Sequence, residues 1–147
     1  MGRAECCVLG SIALIDQSSM LAKFKGRSPA TPEMIAEAEE SVGRKLPATY
    51  GQFLAVHDGG EGFVGENYLI LWSIVELASA NRDYQVEEWV PGLLLFGSNG
   101  GGEAFGFDFR HLKIQIVKIP FIVIDWKDAR LMGSTFDEFL ERLWTEK

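Results

Sequence analysis

Two histidines, two cysteines and a glycine-rich turn are the groups in this 147-residue sequence that first suggest chemistry. Cys6 and Cys7 are adjacent, and neighbouring cysteines do not easily reach ordinary disulfide geometry with each other, so no disulfide framework is expected. With only His57 and His111 besides, there is no spaced set of metal ligands, and neither a metal nor another cofactor is expected. His57 precedes Asp58, yet no Ser or Cys stands at a recognisable spacing and no Gly-x-Ser-x-Gly elbow exists, so the pair reads as a helix end rather than part of a triad. The run Gly97-Ser98-Asn99-Gly100-Gly101-Gly102 fails as a phosphate loop. No Gly-Lys-Ser/Thr follows it, the G-x-G-x-x-G spacing is not met, and a strand pattern rather than a helix comes next. A hairpin turn fits it better. The 21 carboxylates form no pattern that separates an acid/base pair from surface charge. No catalytic residue is assigned, and the chain is read as a non-enzyme.

Binding chemistry is better represented. Across 83–89, Asp83, Tyr84, Glu87 and Glu88 surround Trp89 in a stretch without periodicity. Aromatic residues ringed by acids resemble a protein-binding patch. Packing of the same stretch onto its own domain is the competing and stronger reading. Trp72, Trp126 and Trp144 sit in or beside apolar runs and read as core or core edge. A formal charge of −7 argues against nucleic acid as a partner, because phosphates call for a basic face. It argues equally against adsorption to an anionic membrane; it leaves room for a basic protein partner, although plain solubility explains the same charge and is the stronger reading.

The elements that would position these groups follow from size and pattern. Apolar residues at 47% and charged residues at 24% are ordinary for a globular chain, and the length fits one domain, expected over 11–147 after a loose N-terminus at 1–10. The apolar stretch at 4–15 is too short to span a membrane, and Glu5 stands where a signal peptide wants positive charge. With no crosslinks, a reducing, cytoplasmic setting is expected. Met1 and Met20 are both candidate translation starts, and nothing in the pattern speaks to oligomeric state.

Ile12, Ile15, Leu21 and Phe24 predict a first helix over 11–24, with Lys23 and Lys25 near its end and Gly26 after it. Thr31-Pro32-Glu33 opens a second helix that carries Met34, Ile35, Ala38 and Val42 on one stripe and stops at Gly43. Leu46-Pro47 starts a third, with Tyr50, Phe53 and Leu54 on one face, which ends at Asp58-Gly59-Gly60. Leu46 falls at the N-cap and offers no side-chain acceptor. Glu39 is therefore expected to turn inward and accept from the amides near Ala48 and Thr49, the alternative being an ordinary solvated Glu. A strand follows over 68–72, then a helix capped by Ser73 and Glu76 over 74–81. Next come a hairpin around the glycine-rich turn, strands over 113–119 and 121–125, and a closing helix from Ser134-Thr135-Phe136-Asp137. The order predicts an α+β fold: N-terminal helices, a mostly antiparallel sheet with a Gly-rich hairpin, and a closing C-terminal helix.

Ile35, Glu39, Val42-Gly43, Leu46-Pro47, Tyr50, Phe53-Leu54 and Asp58-Gly59-Gly60 together resemble the signature of the SUKH superfamily, the Smi/Knr family of bacterial toxin-immunity proteins and fungal cell-wall regulators. Asp58 replaces the Asn usual at that turn, where either residue is tolerated. The likeness runs on to the Ser134-x-Phe136-x2-Phe139-Leu140 helix, and so covers most of the chain after Ser11. It implies a SUKH-like fold and a non-enzymatic domain that binds a toxin, frequently a nuclease. The acidic stretch over 83–89 and the loop over 58–66, with Asp58, Glu61 and Glu66, are the contacts expected of such a protein. A regulatory or scaffold module, like the fungal relatives, is the alternative, and an uncharacterised hydrolase ranks last.

Overall fold

The structure, a computed structural model, describes residues 17–146. The expected loose segment 1–10, Ile12 and Ile15 lie outside the described residues. Six α-helices and seven strands are described: α1 (Gln17–Met20), β1 (Lys23–Gly26), α2 (Pro32–Val42), α3 (Ala48–Leu54), β2 (Gly60–Val64), β3 (Asn67–Leu71), α4 (Leu77–Asp83), α5 (Val86–Trp89), β4 (Leu93–Ser98), β5 (Glu103–Asp108), β6 (Gln115–Pro120), β7 (Arg130–Gly133) and α6 (Phe136–Thr145). Short 3-10 turns at Ile74–Glu76 and Trp126–Asp128 precede α4 and β7. The strands form one antiparallel meander in chain order, so the class is α+β as its pattern predicts.

The helix expected over 11–24 is corrected. Phe24 lies on β1, opposite Gly62 of β2, and packs edge-on against Phe53; its spacing from Leu21 fitted a helix by coincidence. Lys23 and Lys25 are therefore strand residues and have no helix dipole to complement. The 58–66 loop is likewise mostly strand. Gly60 and Gly62 look like turn residues, but a Cβ at Gly60 would stand 2.3 Å from the Lys25 carbonyl oxygen. Glycine here permits close strand contact. Phe121 to Asp125 is a turn and not a strand, since the ladder ends at Pro120 and Val123 takes φ 52.

The corner between α2 and α3 is built from local signals. Thr31 caps α2 by accepting the Met34 amide at 3.1 Å, and Gly43 closes it with φ 74. Glu39 joins the two helices: its main-chain carbonyl accepts from Gly43 and Arg44, and its carboxylate accepts the Leu46 amide at 2.9 Å. The donor differs from the expected pair at Ala48 and Thr49, because Pro47 and not Leu46 is the N-cap of α3. Thr49 has another task, its hydroxyl accepting the Phe136 amide at the start of α6.

Two cores sandwich the middle of the sheet. On one face Tyr50, Phe53, Phe96, Phe105, Phe107, Phe136 and Phe139 pack α3 and α6 onto β4 and β5. On the other, Val86, Val90, Leu93, Leu95, Val117 and Ile119 form a smaller core, against which Trp72, Phe121 and Trp126 pack. Every residue of β4 is buried as a result. β3 and β4 pair at only two positions before they part, and Asn81 of α4 replaces the missing strand: its amide oxygen accepts from the Leu95 amide at 2.8 Å while its NH2 donates to the Leu95 carbonyl at 3.0 Å. That clamp fixes α4 to the sheet. Glu39→Gln keeps the shape at the α2–α3 corner but loses the charge on the bond to Leu46, so it is expected to lower stability by about 1 kcal/mol in urea unfolding; an unchanged midpoint would mean that this carboxylate contributes no capping.

Candidate functional site

The chemistry-bearing residues are held in structural positions. The His57 ring fills the space above Gly26, where a Cβ would stand 2.2 Å from Nδ1, and Nδ1 lies 3.3 Å from the Arg27 carbonyl. Asp58 is 8% exposed, and its carboxylate accepts the Ile74 amide at 2.7 Å. That removes Asp58 from the expected partner contacts, because its acceptor is already used to start the turn before α4. Asp108 is buried beneath Arg110. Burial alone would raise its pKa, but two guanidinium hydrogen bonds at 3.0 and 3.1 Å, a bond from the Arg110 amide, and the nearby charges of Arg110 and His111 hold it below the usual carboxylate range. The same guanidinium lies 3.5 Å from the centre of the Trp126 ring, so Arg110 clamps the end of the sheet. Burial pushes the Tyr50 phenol well above its ordinary pKa, with Asp58 adding to the effect, which keeps it neutral. Among the described residues no group of three or more His, Cys, Asp or Glu could hold a metal ion.

The remaining expected contacts fall into three places. Asp83 and Tyr84 lie at the C-terminal end of α4. Glu87, Glu88 and Trp89 lie on α5, set off from α4 by Gln85 at φ 54. This stretch is helical where its sequence shows no period, and it splits the two readings of it. Val86 and Val90 bury themselves in the smaller core, while Trp89 remains 58% exposed. Glu87 and Glu88 border a groove of about 490 Å3 that runs between the end of α2, α4 and β4, with Arg44 and Arg82 on its other walls. Glu61 is on β2, and Glu66 is in the turn beyond it, beside Asn67, whose side chain donates to the carbonyls of Leu143 and Glu146 at the end of α6.

Register gives Glu61 its neighbours. Glu61 pairs with Ile70 and Phe63 with Tyr68, so these four share the sheet face that β1 to β3 leave open. Lys25 and Lys23 are opposite Glu61 and Phe63 on β1, so this half of the face is of mixed charge rather than acidic. Tyr68 donates to the Glu61 carboxylate at 2.5 Å, which raises the pKa of the phenol. Trp72 continues the row two residues after Ile70, its amide bound to the Phe96 carbonyl at 3.1 Å. Its ring is parallel to Tyr84 within 9°, and Tyr84 rests on Phe121 at 4.6 Å. Ile122 and Val123, which follow Phe121 in the chain, are 82% and 80% exposed and form an apolar tip. Sequence reasoning missed that tip; Pro120, which ends the ladder, was the signal for it.

Among the described residues no helix is long and apolar enough to cross a membrane. The profile of the SMI1 / KNR4 family (SUKH-1) matches residues 29–142. The chain is also 32% identical over 124 residues to YnaB of Bacillus subtilis (strain 168), a protein named only as uncharacterized, with 83% of this chain and 81% of that one covered. Asp58→Ala is expected to cost about 2 kcal/mol, because the buried Ile74 amide loses a charged acceptor, whereas Asp83→Ala on the surface should stay within about 0.5 kcal/mol of the parent. Urea titrations of the two variants make the comparison, and equal losses would contradict the separation of structural from surface carboxylates.

Proposed function

The chain belongs to the SMI1/KNR4 family (SUKH-1), and on that premise we propose that it is a non-enzymatic protein-binding domain, an immunity protein that captures and neutralises a cognate bacterial toxin in the cytoplasm. The observation that carries this reading is Trp89. A large aromatic side chain stands 58% exposed on α5 beside Glu87 and Glu88, on a chain of formal charge −7. Buried anchors of this type dominate the energetics of protein interfaces, and carboxylates around them draw in and orient a basic partner. A basic toxin domain, such as a nuclease, has the charge this surface suits.

Asp83, Tyr84, Glu87, Glu88 and Trp89 form the main contact in this reading, with Glu61 and Glu66 as outlying members. Asp108 and Asp58 carry no catalytic role in it. The first is neutralised by Arg110 and the second is bound to a main-chain amide, so neither supplies a free base.

Co-expression with candidate toxin domains, starting with any encoded next to its gene, tests the function. Growth is expected to be restored by the parent chain, and unrelieved killing would contradict the immunity role and favour a regulatory module. With the toxin domain purified, the double variant Glu87→Lys, Glu88→Lys is expected to slow association by about tenfold at low salt and by less at high salt, as steering by exposed charge requires. Stopped-flow traces with an unchanged association rate would remove α5 from the interface.

A further inference from the structure

Beside the row of aromatic rings lies a cavity of about 300 Å3, lined by Trp72, Glu76, Ser79, Ala80, Asp83 and Tyr84. We propose that this cavity is an arginine-binding subsite, which receives the guanidinium of an arginine side chain projecting from the protein partner. The assignment rests on the protein-binding reading above and adds to it the chemical identity of one partner group.

Four features of the cavity select a guanidinium. Its aromatic wall is held in place: Trp72 and Tyr84 are parallel, with centroids 6.4 Å apart, and Tyr84 also packs against Phe121 at 4.6 Å. A planar, weakly hydrated cation lies well against such rings. Ser79 and Ala80 are small and leave the volume open. Two carboxylates line the same space, which excludes an anion and would leave an apolar group beside the charge of Asp83. Of these, Glu76 already accepts from the Ser73 amide and hydroxyl at 3.0 and 3.1 Å, so it is fixed in position. Asp83 forms no ion pair among the described residues and has both oxygens available for a forked donor.

The chain itself supplies a precedent. The Arg27 guanidinium approaches the Glu76 carboxylate to 3.8 Å, with both side chains more than half exposed. A cation therefore already reaches the rim of the cavity, held weakly enough to be displaced. Lysine fits less well, because its compact ammonium neither stacks on the rings nor forks onto Asp83.

The probe is N-acetyl-arginine-N-methylamide, titrated into the isotopically labelled full chain and followed by amide chemical shifts. Saturable shifts are expected at Ser79, Ala80, Asp83 and Tyr84, with a dissociation constant on the order of millimolar. The citrulline analogue, of the same shape without the charge, is expected to give none. Asp83→Asn and Tyr84→Leu are each expected to weaken the arginine response about fivefold or more, with the rest of the spectrum unchanged. Absence of saturation at these four residues, an equal response to citrulline, or full binding by Asp83→Asn would overturn the subsite. A chain that neutralises the toxin but ignores the probe loses only this cavity; a chain that takes up the probe but never protects cells keeps the cavity and loses the immunity role.

Discussion

The Tyr50 ring, wedged among Phe96, Phe107 and Phe136 at 5.0 to 5.6 Å, is the contact on which the rest of the arrangement depends. It joins α3 to two neighbouring strands and to the closing helix at once. Every further piece of the larger core packs outward from it. Its hydroxyl is buried without a hydrogen-bond partner among the described residues, a cost of about 1–3 kcal/mol for such a group. Three ring pairs, at about 0.5–1.5 kcal/mol each beyond their buried area, are enough to offset it. Burial also keeps the phenol neutral, so no charge enters this core.

From that anchor the two carboxylates next to α3 acquire their meaning. Glu39 fixes how α3 leaves α2, and Asp58 fixes how the chain turns into α4 after β3. Both accept from main-chain amides that precede or begin a helical turn, so charge is placed where free donors point. Asn81 then holds α4 against β4, at the place where β3 has left the ladder. The aromatic row of Trp72, Tyr84 and Phe121 is carried on this fixed frame. Its exposed members are consequently preorganised, which lowers the entropy lost when a partner docks.

Where structure is set locally, the sequence was legible. Thr31-Pro32, Gly43, Leu46-Pro47 and Thr135 with its carboxylates mark helix ends through bonds within a few residues, and those ends lie close to where the pattern puts them. The hairpin around Gly100 was equally open to reading, since alternation and turn residues occur together. What failed was decided at long range. Phe24 satisfies a helical spacing with Leu21, yet it forms a strand because β2 offers it a partner across the sheet. Gly60 and Gly62 imitate a loop, and only the approach of β1 gives their lack of side chains a reason. The site divides in the same way. Composition marked 83–89 as a stretch of acids and aromatics, with packing onto its own domain the stronger reading. Burial of Val86 and Val90, removal of Asp58 from that surface, and the meeting of Trp72 with Phe121 required the tertiary arrangement.

In the proposed reading, α3 and α6 hold the fold from one face of the sheet, while residues 83–89 and 121–124 form the surface that would meet a partner. Amide hydrogen exchange, measured on the chain alone and bound to a toxin domain that it neutralises on co-expression, tests that division directly. Slowed exchange is predicted across 83–89 and 121–124, with α2, α3 and α6 unchanged. Protection confined to α2, α3 and α6, with none across 83–89, would contradict it.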